Sequence, residues 1–204
     1  MIAVLSRIIA DFLCRKNVVS VDDKEICAYG YEVLFFNLLN VLLIFFLGIL
    51  LNKLFYSIIF FLIFAVLRQY CGGFHAKSTA ACTITYIISY LFIVLIAGYD
   101  SISEIYTIGV CISLDIAFLG MIVLYAPIDN PNKILGKSEK EKYKKISIYI
   151  SIFIMVIGII AYYINIHLSA VITLTLFVIM IMMFVGLYNR KEEKWHEKDS
   201  EYHG

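Results

Sequence analysis

Between residues 33 and 187 the chain is a succession of apolar runs that a soluble domain of this size has no means of burying. The runs lie at 33–51, 54–67, 83–98, 105–126, 146–164 and 168–187, with polar segments between them. A helix crosses the hydrocarbon core of a bilayer with about 20 apolar residues. Most of the runs come within a few residues of that length. The run at 54–67 has only 14. It crosses only if nearly upright and extended by its flanks, and a re-entrant hairpin is the alternative. Composition agrees with lipid as the solvent: 62% of the 204 residues are hydrophobic and 16% charged, against about 45–50% and about 25% in soluble domains.

The expected fold is therefore all-α: a polytopic membrane protein of about six transmembrane or re-entrant helices, forming one domain over residues 1–204. Apolar residues at 2, 4, 5, 8, 9, 12 and 13, with Ser6, Arg7, Asp11, Arg15 and Lys16 among and after them, predict an amphipathic helix over 1–19. It lies in the membrane interface or packs on the bundle. Asp11, Arg15 and Lys16 do not fit the apolar core of a signal peptide. Residues 189–204 form a charged tail.

Charge placement sets the orientation. With six spans, both termini, the segment after the second span and the 129–145 loop share one side. That side holds sixteen of the seventeen Lys and Arg residues, and only Lys53 falls opposite. The positive-inside rule makes it the cytoplasm. A net charge of +1 gives no ground for a nucleic-acid partner.

One polar, glycine-containing island interrupts the apolar pattern: Arg68-Gln-Tyr-Cys71-Gly72-Gly73-Phe-His75-Ala-Lys-Ser78-Thr-Ala-Ala-Cys82. Polar groups near membrane depth are costly, and so point to function. A cysteine attacks as its thiolate, which a nearby histidine can hold as an ion pair. On one continuous helix His75 and Cys82 would stand about 10 Å apart along the axis, so a productive pair needs a bend. Ser78 as an N-cap supplies one and starts a helix that carries Cys82 in its first turns. Gly72 and Gly73 free the preceding turn. Cys71 is a rival nucleophile, ranked second because the glycines argue against the helix that would pair it with His75.

Five cysteines at irregular spacing are not a disulfide framework. Cys14, Cys27 and Cys111 read as small apolar residues. No H-E-x-x-H, zinc-spaced cluster or G-x-x-x-x-G-K-[ST] loop occurs, so neither metal nor cofactor is expected. Asp129 and the intramembrane Asp115 are candidate orienting groups for His75. Arg68 either grips an acidic substrate segment or anchors a span end. Lys133 and the lysines after it, through Lys145, either bind substrate or set topology and attract anionic lipid.

The pattern Arg68…Gly72-Gly73-Phe-His75-Ala…Cys82 resembles the accessory gene regulator B (AgrB) family of Gram-positive bacteria. So do the chain length, the multi-span layout, and Ala126-Pro127-Ile128-Asp129 before a lysine-rich segment. The resemblance implies a membrane cysteine endopeptidase that removes the C-terminal tail of a short quorum-sensing precursor and helps to cyclise it. It implies His75 and Cys82 as catalytic, supporting positions at Arg68, Gly72 and Gly73, a precursor with an amphipathic leader and acidic tail as partner, and a homodimer. A small membrane transporter of peptide or ion, with Asp115 on its path, is the competing expectation.

Overall fold

The computed structural model describes the backbone of residues 2–16, 18–72, 79–128 and 136–203, and the side chains of these residues except 79–80, 137 and 189–203. Among the described residues the chain is helical nearly throughout: α1 (Ile2–Arg15), α2 (Lys24–Leu50), α3 (Leu54–Cys71), α4 (Thr79–Ala97), α5 (Ile102–Ile105), α6 (Ile108–Tyr125), α7 (Lys137–Ile164) and α8 (Ile166–His203). Five of these, α2, α3, α6, α7 and α8, are long and apolar enough to cross a membrane. The chain is a multi-pass, all-α membrane protein.

Two boundaries differ instructively from the sequence expectation. The run at 54–67 is not short in the folded protein, because Arg68 to Cys71 continue α3 to 18 residues. The cation is accommodated in the helix: the Arg68 guanidinium lies over the Phe64 ring, 5.6 Å from its centroid. The 129–145 segment, expected as a loop, is helical from Lys137 onward. Glu139 Oε2 accepts the Gly136 N–H at 3.1 Å, tying down the helix start. Other ends follow local chemistry. Thr107 Oγ1 accepts the Val110 N–H at 3.4 Å at the start of α6. Asn165 Oδ1 accepts the Leu168 N–H at 3.1 Å at the start of α8. The amphipathic α1 packs on α2, and a Lys24–Asp11 ion pair links the two.

The core gathers around α8, which touches α3, α4, α5, α6 and α7. Its first turns carry Ser169, Ala170, Thr173 and Thr175, all fully buried. Small side chains let helix backbones approach where lipid supplies no hydrophobic drive between helices. A second centre lies between α3 and α4, where Phe60, Phe64, Tyr86 and Tyr90 pack with ring centroids 5.0–5.5 Å apart. The apolar stretch of α4 at Ala81–Ala97 is the shortest, yet α4 runs the length of the bundle. Cys82 near its start is within electrostatic range of Arg68 at the end of α3. At its other end, the Ala97 carbonyl lies 2.7 Å from His167 Nδ1 at the start of α8. The bundle thus has two poles: one with the end of α3 and the starts of α4 and α7, the other with Lys53, Ala97, Tyr106 and His167.

The turn between α2 and α3 depends on Gly48. A methyl group there would come 2.3 Å from Ser57 Oγ and 2.9 Å from Ser57 Cβ. Ser57 is itself held at 3.0 Å by the Lys53 carbonyl and at 2.7 Å by Tyr90 Oη. Gly48→Ala is expected to destabilise the protein by about 1–3 kcal/mol through overpacking. Gly120→Ala, with nothing within 4 Å of the added carbon, is expected to be neutral or stabilising by up to about 1 kcal/mol. Unfolding in micelles with increasing dodecyl sulfate measures both.

Candidate active site

The last turn of α3, the first turn of α4 and the first turns of α7 meet at one pole, with α8 alongside. Arg68 is half-buried there. Its Nη1 donates to Met182 Sδ on α8 at 3.2 Å, so the side chain leans across the bundle. From that place its charge reaches the Cys82 thiol. Cys82 lies one turn into α4 and is half-buried. The N-terminal end of a helix favours an anion within its first turn, and a nearby guanidinium acts in the same direction. Arg68 and the described start of α4 therefore lie at the same end of the bundle as this sulfur.

Cys71 has the opposite setting. It is fully buried as the final residue of α3, beside Ser147 of α7. The C-terminal end of a helix opposes a negative charge. The thiol is packing material, which keeps Cys82 as the accessible sulfur of the island.

Gly72 follows with φ 71° and ψ −152°, a backbone region that side chains disfavour. Its function is close approach. The Ile128 N–H donates to the Cys71 carbonyl at 3.0 Å, and Gly72 and Ile128 form an isolated parallel bridge. A methyl group on Gly72 would lie 2.2 Å from the Ile128 oxygen. Tyr70 and Tyr143 add a T-shaped ring contact at 5.6 Å, joining α3 to the lysine-bearing start of α7.

Of the expected site residues, Arg68, Gly72 and Cys82 are thus brought to one pole. Gly73, His75, Ser78, Asp129 and Lys133 lie outside the described residues. Ile128, Tyr143 and Met182 join the pole without having been singled out. The signal for Ile128 was present in the Ala126-Pro127-Ile128-Asp129 motif. Met182 and Tyr143 are ordinary span and helix residues in sequence and gave none.

Whether Asp115 orients His75 falls outside the described residues, but the place of Asp115 in the bundle is described. It lies ten residues before the end of α6, about 15 Å along the axis from that pole. It belongs to a polar cluster in the other half of the bundle. Cys111 Sγ donates to Asp115 Oδ2 at 3.8 Å and lies 3.3 Å from Thr173 Oγ1. The Tyr106 hydroxyl donates to Thr173 Oγ1 at 2.9 Å and meets Ser169 Oγ at the same distance. Ser169 in turn donates to the Gly158 carbonyl at 2.8 Å. Cys111 is thus a polar link between α6 and α8, where its sequence setting suggested an apolar filler. Among the described residues, no three His, Cys, Asp or Glu side chains gather as a metal site.

These burials predict a labelling pattern. Iodoacetamide added to the folded protein should modify Cys82, and also the half-buried Cys14 and Cys27, while Cys71 and Cys111 react only after denaturation. Peptide mass spectrometry reads it, and early modification of Cys71 would contradict the placement.

Comparison with known proteins places this arrangement in a family. The family model for accessory gene regulator B matches residues 6–185. An AgrB-like protein of Clostridium perfringens (strain SM101 / Type A) is 30% identical over 172 residues, 80% of this chain and 79% of its own length. Accessory gene regulator protein B of Staphylococcus carnosus (strain TM300) is 29% identical over 129 residues, covering 63% of this chain and 65% of its own. The Staphylococcus epidermidis protein of the same name is 27% identical over 154 residues, covering 74% and 76%. No solved structure matches. With a bundle of membrane helices that gathers Arg68, Gly72 and Cys82 at one pole, and a family match over most of its length, this chain belongs to the accessory gene regulator B family.

Proposed function

We propose that the chain is a membrane cysteine endopeptidase that trims the C-terminal tail from a short quorum-sensing precursor peptide and promotes its cyclisation. The observation that carries this reading is the setting of Cys82: an accessible thiol one turn into α4, with the Arg68 guanidinium within electrostatic range. Family membership supports it.

The chemistry follows from the residues. The Cys82 thiolate attacks the scissile carbonyl carbon, and the C–N bond breaks as His75 delivers a proton to the leaving amine. The precursor is then held as a thioester on Cys82. A thiol within the bound precursor gives its proton to His75, attacks the same carbonyl carbon, forms a cyclic thiolactone and returns Cys82 as thiolate. One thioester replaces another, so the closure needs no nucleotide; a serine in the precursor would give a lactone. Arg68 helps to hold the thiolate. Lys133 and the lysines of the first turns of α7 provide positive charge for an acidic tail. The pole lies at the cytoplasmic face, by the excess of Lys and Arg on that side.

A transporter reading draws on Asp115, which is buried with Oδ1 lacking a hydrogen-bond partner. An intramembrane carboxylate of this kind marks ion pathways in other proteins. The two readings part cleanly. Cys82→Ala and His75→Ala should each lower tail cleavage at least about a hundredfold, and Asp115→Asn should leave it standing. Gel-resolved processing in membranes carrying this protein and its co-expressed precursor is the measurement, and normal cleavage by Cys82→Ala ends the peptidase reading.

A further inference from the structure

The surface of α1 is divided between two faces. Ser6 and Ala10 are fully buried. They bring the helix against α2, small side chains allowing a close approach. Val4, Leu5, Ile8 and Phe12 fall on the opposite side of α1 by the helical repeat, and they are 47–61% exposed. Arg7, Arg15 and Lys16 are exposed around this apolar ridge. Lys16 Nζ stands 5.9 Å from the centre of the Phe12 ring. Asp11, the one acidic residue of α1, is neutralised by its ion pair with Lys24. The outer face thus combines apolar side chains with positive charge.

The depth of α1 follows from α2. That helix has 27 residues, about 40 Å at the helical rise. This matches a bilayer together with its headgroup regions, about 40–45 Å, and exceeds the hydrocarbon core of about 30 Å. The apolar run of α2 begins at Val33, so Lys24 to Glu32 form the part that stands among headgroups. Asp11 meets Lys24 there. Because α2 and α3 run in opposite directions from the turn at Asn52-Lys53, α1 is held at the headgroup level of the Arg68 pole.

We infer that the outer face of α1 is a docking surface for anionic phospholipid. Val4, Leu5, Ile8 and Phe12 enter the boundary between headgroups and acyl chains, and Arg7, Arg15 and Lys16 take the phosphates. An amphipathic helix with cations beside its apolar face lies in such a boundary with that face about 5–10 Å deep. Long basic side chains cover apolar surface with their stems while the charged heads reach the phosphates. A second copy of the chain is the poorer fit, because a symmetric contact would set the same cations against each other. The inference stands apart from Cys82 and the peptidase reading, and either can fail alone.

The test places a fluorescent reporter on the ridge. The chain has one tryptophan, Trp195 in the tail. Trp195→Phe removes it, and Phe12→Trp puts one at an exposed site. Protection of Cys71 and Cys111 from iodoacetamide verifies the fold. The full chain is placed in vesicles of phosphatidylcholine, with or without phosphatidylglycerol, whose acyl chains carry bromine near the headgroup or near the methyl end. Bromine near the headgroup should quench the reporter at least about threefold, and bromine near the methyl end less than about 1.5-fold, with little quenching by aqueous iodide. Phosphatidylglycerol should raise the shallow quenching. Arg7→Gln, Arg15→Gln and Lys16→Gln together should remove that increment and leave quenching in pure phosphatidylcholine as it was.

Quenching by iodide in place of bromine puts the ridge in water and overturns the inference. Protection from both quenchers puts it under protein, a second copy or another partner, and overturns it equally. Shallow quenching that is indifferent to phosphatidylglycerol and to the three substitutions overturns anionic phospholipid as the ligand.

Discussion

Inside a bilayer each backbone N–H and C=O must find its partner within the protein, because no water is there to substitute. Among the described residues that constraint confines non-helical chain to the two ends of this bundle and makes every departure from a helix a place where polar groups must be settled. At the Arg68 pole, α3 stops at Cys71 and α6 stops at Tyr125. Each stop leaves unpaired carbonyls or amides behind it. The Cys71 carbonyl and the Ile128 amide satisfy one another, so the end of one helix is solved by the end of another. The contact that closes the fold at this pole stands just before the segment that carries His75 in sequence.

Around that pole, charge and packing reinforce each other. Arg68 lies across Phe64 and bonds to Met182, so a guanidinium is held in a partly enclosed place by polarisable partners. The gain is a fixed position within electrostatic range of Cys82, where a mobile surface arginine would be screened by solvent. The opposite half of the bundle uses neutral hydroxyls and a thiol to the same end. Tyr106, Ser169, Thr173, Cys111 and Asp115 form a connected set, and it ties α6 to α8 by hydrogen bonds in a region where apolar contact alone gives helices little reason to choose one another.

Much of this was legible in the sequence. The spans and the amphipathic α1 followed from hydropathy and periodicity. What was not legible depended on contacts between distant segments. Nothing in the run at 54–67 says that Arg68 can continue its helix, because the partners that make this possible, Met182 above all, are 114 residues away. Cys111 reads as a small apolar residue until Thr173 and Asp115 are placed beside it. Gly72 was recognised as a point of freedom for a turn, but the reason for it, an incoming carbonyl from Ile128, could not be read without the fold. Lysines 137–145 suggested a loop by composition, yet their helical start is set by Gly136 and Glu139, a local signal outweighed by the charge around it.

The meeting of Gly48, Ser57 and Tyr90 joins three helices at one point, with no spare volume and one shared hydroxyl. Drift at these positions is therefore correlated. A homologue that gains bulk at position 48 has to surrender the hydroxyl at 57, and the phenol at 90 then has reason to become a phenylalanine. Descent within the family should move these sites as a trio, while the lipid-facing surface of α2 beside them wanders freely among apolar residues.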